Sequence, residues 1–228
     1  MGLKLESFAP AQKPTTTDEV FNRLYQAVIS LELPPGTKMS EAEIASTLNV
    51  SRQPVRDAFY RLSKIGLLLV RPQRATRVTK ISEKAVFNAV FVRTALEVEC
   101  LRTAFKLAPK KLTSLLKENL AAQEIAYKQE DPARFHQLDE SFHLTICECA
   151  EQAHVWALIQ EQKAHLDRVR YLTLSQEHRR NVADEHLCIV GALEGNDIET
   201  AERKLRAHLG GIGEHLEKIR SDNEECFA

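Results

Sequence analysis

Long apolar runs are missing from this chain of 228 residues. No stretch approaches the ~18 apolar residues of a membrane-spanning helix. The opening MGLKLESFAPAQKP lacks the apolar core of a secretory signal. Paired cysteine is missing as well. The five cysteines, Cys100, Cys147, Cys149, Cys188 and Cys226, are odd in number and show no zinc-ribbon spacing. They fall mostly in helical patterns and read as reduced thiols of a cytosolic protein. Cys147-x-Cys149 fits adjacent core and surface positions better than a redox pair. Net charge is nearly absent, at −1, so any polyanion-binding surface has to be local. After Ile81 only Pro109 and Pro132 remain, and no strand-like alternation of any length occurs. That excludes an extended sheet from the larger part of the chain. Internal repeats and low-complexity segments are also lacking. The hydrophobic content of 43% is enough to build real cores, and the length suits one or two domains.

What is present is concentrated between Ser40 and Lys80. Ser40 with Glu43 forms a capping-box pattern that starts a helix with Ile44 and Leu48 on its apolar side. Asn49-Val50 breaks it. Ser51 can cap a second helix, with Pro54 in its first turn, where a missing N–H costs little. Val55, Phe59 and Leu62 form a buried stripe. Gly66 ends the helix in the manner of a C′ glycine. Leu67 to Val70 and Arg77 to Ile81 are short strand candidates around a turn at Pro72 to Thr76, a β hairpin. Upstream, Thr16 with Glu19 reads as a second capping box, and Val20, Leu24, Val28 and Leu31 as the stripe of a supporting helix. Leu33-Pro34-Pro35-Gly36 turns the chain. Residues 1–14 read as a flexible tail.

The charge of this region is lopsided. From Arg52 to Lys80 there are eight cations and one anion, Asp57, a balance of +7 that leaves −8 for the remainder. One strongly basic end on a neutral protein points to a dedicated polyanion-binding module. Ser51, Arg52, Gln53 and Arg56 open the second helix, where a recognition helix presents side chains to major-groove base edges. Arg reads guanine and Gln reads adenine there. Arg74 and Arg77 on the hairpin are placed for phosphate or a minor groove. The alternative is an ordinary solvated basic helix, which does not explain why caps, turn, charge and hairpin agree.

Beyond Ile81 the pattern is helical at about 82–107, 110–129, 132–150, 152–175, 178–195 and 197–220, and short connections imply an antiparallel bundle. Asp197 is placed to cap the last helix after the Gly195-Asn196 break. Polar groups occupy apolar faces here. Asp139 and His143 are i, i+4 partners flanking the stripe Phe135, Leu138, Phe142, Ile146. His186 lies in the stripe Val182, His186, Ile189, Val190, Leu193. His208 lies in the stripe Leu205, His208, Leu209, Ile212. A buried imidazole needs partners. Spacing alone leaves two readings open: hydrogen-bonded core histidines, or ligands of a divalent metal. His136 and His178 fall off the stripes and read as solvent-facing. His154 lies near a helix start, His165 is ambiguous, and His215 shares the face of His208 as a spare candidate.

The run PPGTKMSEAEIASTLNVSRQPVRDAFYRLSKIGLL resembles the winged-helix domain of the GntR superfamily of bacterial transcription regulators. Pro35-Gly36, Ser40-Glu41, Ile44-Ala45, Val50-Ser51-Arg52, Pro54-Val55-Arg56 and Gly66-Leu67 carry the likeness over about residues 15–80. One departure is Arg74-Ala75, where that family has Arg-Gly at the wing tip. Ala takes positive φ less cheaply than Gly, so a different turn is expected. LDESFHLTI and DEHLCIVGALEGNDIETAERKLRAHL resemble the all-helical FCD effector domain of FadR-type members, over about 81–221, leaving 222–228 as a tail. A second departure is Ala150-Glu151-Gln152, where the family often has Ala-Gly-Asn. The resemblance implies a metal held by Asp139, His143, His186 and His208, and an effector contact at Arg93 in VFVRTALEVEC. From the residues alone, Arg93 equally suits an i, i+4 pair with Glu97.

These readings predict a mainly α protein: a winged helix-turn-helix with a short β-hairpin wing, then an all-α antiparallel bundle. The function expected is a ligand-responsive, DNA-binding transcription regulator of the cytoplasm, a metabolite-controlled repressor. It is expected to act as a homodimer on a pseudo-palindromic double-stranded operator. The metal expected is zinc, with nickel, manganese or iron suiting the same donors. A small carboxylate would complete its shell. Two alternatives remain: a metal-dependent enzyme, and a regulator whose metal is purely structural. The enzyme lacks a general base, since Glu140 and Glu185 are expected to point off the metal's face by about 100° per residue, and it leaves the basic module unexplained.

Overall fold

The computed structural model describes residues 14–71, 74–173 and 175–228. The chain forms two compact units, Met1–Thr79 and Lys80–Ala228. The tail expected over 1–14 lies almost wholly outside the described residues.

The first unit holds α1 (Thr16–Ile29), β1 (Lys38–Met39), α2 (Glu41–Thr47), α3 (Arg52–Lys64), β2 (Leu68–Leu69) and β3 (Thr76–Val78). The cap of α1 is one residue earlier than the pattern suggests. Thr15 accepts from the Asp18 N–H, and Asp18 accepts from the Thr15 N–H at 3.1 Å. A run of three threonines offers several registers. Asp18 decides between them because it also pairs with Arg61 of α3 at 2.8 Å. Ser40 caps α2 through the Glu43 N–H. Ser51 stands at the N-cap of α3 without a side-chain cap bond. Gly66 follows α3 with φ +78°, the left-handed position for which glycine is suited. The strands pair antiparallel in the order β1-β3-β2, with Lys38 opposite Arg77 and Leu68 opposite Val78. The sequence pattern does not predict β1; two residues are too few for a periodic signal. Val20, Leu24, Val55, Phe59 and Leu62 are buried, and α1 packs on α3.

The second unit holds α4 (Glu83–Leu107), α5 (Pro109–Lys128), α6 (Pro132–Cys149), α7 (Ala153–Gln162), α8 (Ala164–Leu172), α9 (Gln176–Glu194) and α10 (Ile198–Asp222). Most starts have a local cause. Ser82, Asp131, Ser175 and Asp197 cap through side-chain oxygens, and Pro109 and Pro132 sit in first turns. The expected cap at Asp197 is present, and the left-handed residue of the preceding turn is Asn196, at φ 57°. α5 packs on α6 and α9, and α10 on α9 and α4. The core gathers Leu101, Leu112, Leu116, Phe142, Ile146, Ile159, Ile189 and Leu205. Burying each such side chain contributes about 1.5–3 kcal/mol.

Two expectations are corrected here, and one departure from the resemblance is located. The helix expected over 152–175 is two, broken at Lys163, whose ammonium turns inward to lie 2.6 Å from both Glu140 and Asp167. The Ala150-Glu151-Gln152 turn keeps a left-handed residue at φ 58°, now carried by Glu151. The segment expected as a tail after α10 is instead a 3-10 turn, Glu224–Cys226, followed by pairing of Phe227 parallel to Ile81. Cys226 and Phe227 are buried against Ile81, Val86, Leu166 and Leu216. Apolar burial outweighs the shortness of the segment.

Candidate nucleic-acid interface and metal centre

At the start of α3, Ser51, Arg52, Gln53 and Arg56 are all exposed, while Val55, Ala58 and Phe59 face inward. The helical period that buries the apolar stripe therefore turns these polar side chains outward. Arg56 donates to both carboxylate oxygens of Glu41 in α2, and Arg52 lies 3.9 Å from the same carboxylate. Gln53 donates to Asp57 at 2.9 Å. Arg77, exposed on β3, donates to the Gly36 carbonyl. Arg74 is exposed at the hairpin; Pro72 and Gln73 lie outside the described residues.

In the second unit four potential ligands come together. Asp139 and His143 of α6, His186 of α9 and His208 of α10 are all buried, and one donor atom from each lies within 4.8 Å of the others. His208 Nε2 is 3.2 Å from His143 Nε2 and 3.3 Å from His186 Nε2. Asp139 Oδ1 is 3.9 Å and 3.7 Å from the Nε2 atoms of His143 and His186. Phe142 stacks on the His186 ring at 4.0 Å.

The opposite nitrogen of each ring meets an acceptor. His143 Nδ1 lies 2.6 Å from Glu97, and His208 Nδ1 lies 2.7 Å from Glu185. An ionised carboxylate only accepts, so His208 Nδ1 carries hydrogen, and the Glu97 charge favours the same tautomer in His143 although that contact lies outside hydrogen-bond geometry. His186 Nδ1 lies 3.1 Å from Gln123 Oε1. The amide is oriented by a relay: Gln123 Nε2 donates to Asn119 Oδ1, and Asn119 Nδ2 donates to the Leu138 carbonyl. A backbone carbonyl cannot donate, so Gln123 presents its oxygen to His186. With hydrogen on Nδ1 in each ring, the three Nε2 atoms would face one another as bare acceptors, 3.2–3.3 Å from His208 Nε2 to the other two. Three lone pairs and a carboxylate facing each other repel unless a cation lies among them. The donor set suits a divalent ion.

The electrostatics agree. Burial pushes the imidazoles of His143 and His186 below the ordinary histidine value, and for His186 the neighbouring His208 adds to that. Burial opposes the charge of Asp139, but Arg170, 2.8 Å away, and the surrounding rings hold its carboxyl well below the usual range. Burial likewise opposes Glu97, yet Arg93 and His143 hold it at about 2. Neutral rings and ionised carboxylates are the forms that bind metal.

Arg93 is placed differently from the effector contact expected of it. It is fully buried, donates to Glu97 at 2.6 Å, and does not line the cavity beside the four donors. It holds the carboxylate that holds His143. Glu185, expected to point off the metal's face, orients His208. Glu140 meets Lys163 and Arg170. His136 and His178, expected to face solvent, are half-buried and line the cavity. His165 is buried, and its Nδ1 accepts from the Ser82 N–H. His215 is exposed, lines the cavity and stays outside the four. In a second group, His136, Glu140 and Asp167, both carboxylates already hold the Lys163 ammonium.

The cavity measures about 580 Å³ and is walled by Asp139, His208, Arg170, Arg179, Val182 and Ile212, among others. Spacing did not single out Gln123, Glu97, Arg170 or Arg179 as site residues. Gln123 left a trace: a polar residue in the buried α5 stripe Leu112, Leu116, Asn119, Gln123, Ala126. No described helix is long and apolar enough to cross a membrane.

Comparison with known proteins places these features in a wider setting. Residues 16–78 match the family of bacterial regulatory proteins, gntR family, and residues 89–211 match the FCD domain. The HTH-type transcriptional repressor RspR of Escherichia coli is 35% identical, covering 92% of each chain. A probable D-xylose utilization operon transcriptional repressor of Paenarthrobacter nicotinovorans is 30% identical, covering 86% of this chain and 87% of its own. Among solved structures, E. coli McbR/YncC aligns with a TM-score of 0.75 at 20% identity, over 92% of this chain and 99% of that one, a likeness of fold.

Proposed function

Since the chain belongs to the GntR family of bacterial regulatory proteins and carries an FCD domain, it is a DNA-binding transcriptional regulator and not an enzyme, and from that premise we propose a metabolite-controlled repressor whose effector is a small organic acid bound beside a divalent metal. The observation that carries the metal reading is the clustering of three Nε2 atoms and Asp139, with an oxygen close behind the Nδ1 of each ring. Asp139, His143, His186 and His208 would hold the ion, with zinc the default for three imidazoles and a carboxylate. The bound ion would offer an open coordination position to a ligand carboxylate. The chain's own part is to keep the rings neutral and oriented, and to wall the ligand with α6, α8, α9 and α10.

The DNA side rests on α3. Arg52 and Arg56 would read base edges with Gln53 beside them and Ser51 at the helix start, while Arg74 and Arg77 would meet phosphate or a minor groove. Glu41 holds Arg56 until a phosphate or base replaces it. One such helix reads few base pairs, so a homodimer on a pseudo-palindromic operator in the cytoplasm follows. Acid binding would shift the population between dimer geometries that space the two recognition helices differently. A purely structural metal is the second reading, favoured by how completely the donors are buried.

Metal analysis combined with calorimetry and operator binding tests this. Stoichiometric metal is expected in the wild type and not in Asp139→Ala or His186→Ala. Operator affinity of the metal-loaded protein should change with a small carboxylate. Metal that stays stoichiometric in the variants would sink the site. Metal loading without any response to acids would leave the structural reading.

A further inference from the structure

One buried cation on the cavity wall has no counter-charge among the described residues. Arg179, in the first turns of α9, is 6% exposed and lines the cavity. Among the described residues its guanidinium has no ion pair or hydrogen bond, and its buried Nε is without a partner. Glu177, Glu185 and Asp222 line the same cavity and none of them pairs with it; Glu185 is held by His208. Two neighbouring arginines have carboxylates of their own. Arg170 pairs with Asp139 and Glu140, and Arg93 pairs with Glu97. Arg168 also lacks partners but does not line the cavity.

A guanidinium withdrawn from water without a counter-charge is costly, and the planar fork matches a carboxylate or phosphate in two parallel hydrogen bonds. Its position indicates what would supply that group. Arg179 and His186 are seven residues apart on α9, so they share a face about 10 Å apart along the axis. Val182 lies between them and also walls the cavity. One end of the cavity therefore offers Asp139 and His208, the two of the four donors that reach its wall, and the other offers an unanswered cation across an apolar step. This is the layout for a ligand with an acid group at each end.

We propose that Arg179 is the second anchor of the effector and that the effector is a short-chain diacid, one carboxylate at the metal end and a second carboxylate or phosphate on the Arg179 fork. This rests on the acid-effector reading above. A monoacid fills one end and leaves Arg179 buried and unpaired. Selectivity for diacids then resides in this one side chain. A charge-assisted bidentate pair in such a setting sets a preference of roughly ten- to a hundred-fold.

The test uses the full-length, metal-loaded protein, as wild type, Arg179→Gln and Arg179→Lys. Calorimetry is run with acetate, succinate, glutarate and phosphoglycolate. The wild type should bind at least one of the two-headed acids ten-fold or more tighter than acetate. Arg179→Gln should lose that advantage while its acetate and metal affinities stay within about two-fold, and Arg179→Lys should retain part of it. Loss confined to succinate and glutarate makes the second group a carboxylate; loss confined to phosphoglycolate makes it a phosphate. Without acid, the melting temperature of Arg179→Gln should hold or rise, because an unpaired buried charge has gone; a fall would assign Arg179 a structural role. Wild-type and variant preferences that coincide overturn the anchor alone. Failure of every acid, acetate included, to bind the wild type overturns the effector reading and the anchor with it.

Discussion

Replacing Gln123 by leucine tests the orientation of the metal centre without touching a ligand. The side chain is fully buried and similar in size to leucine, so packing changes little. Two hydrogen bonds disappear: the 3.1 Å contact to His186 Nδ1 and the 2.7 Å donation to Asn119. A buried donor stripped of its acceptor costs about 1–3 kcal/mol, and His186 is 0% exposed, out of contact with bulk solvent. The ring then gains nothing from keeping its hydrogen on Nδ1, and moving it to Nε2 removes the lone pair aimed at the centre. Loss of such an outer partner lowers metal affinity roughly 10–100-fold, or about 1.4–2.7 kcal/mol. Gln123→Glu is the companion, since it restores an acceptor for His186 and loses only the donation to Asn119. Competition titration against a calibrated chelator, with thermal unfolding of the metal-free forms, measures both effects. Wild type and Gln123→Glu should bind metal with similar affinity, and Gln123→Leu should fall well below both. An unchanged affinity in Gln123→Leu, with the protein folded, would refute the tautomer relay.

On the DNA side, Arg56→Ala or Arg52→Ala should cost about 1–3 kcal/mol of operator binding and relax specificity at one position, as read by titration against operator variants; equal affinity and selectivity would remove α3 from the interface. Glu151 carries a left-handed backbone at φ 58°, so Glu151→Gly should raise stability by about 1 kcal/mol in denaturant unfolding, whereas a loss would mean its side chain matters more than its backbone. In metal-free protein, burial depresses the pKa of His143 and His186. The unfolded chain therefore takes up more protons once the pH drops below about 6.5, and stability contributed by these rings is lost from there downward, not upward. Melting temperature followed from pH 8 to 5 should fall, and a maximum near pH 5 would contradict the neutral-ring assignment.

Local signals are legible because they act over three or four residues. Ser40, Asp197 and Gly66 announce helix ends through bonds to their own neighbourhood, and the Val55, Phe59, Leu62 stripe sets which face of α3 is left outside. The register of α1 differs by one residue from its local pattern because the decision belongs to Arg61, far along the chain. The break at Lys163 and the pairing of Phe227 with Ile81 are illegible for the same reason: their partners lie on other helices or at the other end of the unit.

The sequence by itself determined the two-part architecture, the basic outward face of α3, and the placing of Asp139, His143, His186 and His208 on core-facing positions, since helical periodicity and charge composition are properties of the chain. Only the tertiary structure decided which atoms meet. It set Glu97, Gln123 and Glu185 behind the three rings, drew Arg93 into the core as support for Glu97, and left Arg179 on the cavity wall without a partner among the described residues. The physical reason is that periodicity specifies a face to within tens of degrees, while a hydrogen bond demands a distance within tenths of an ångström, and that is settled by the packing of helices against each other.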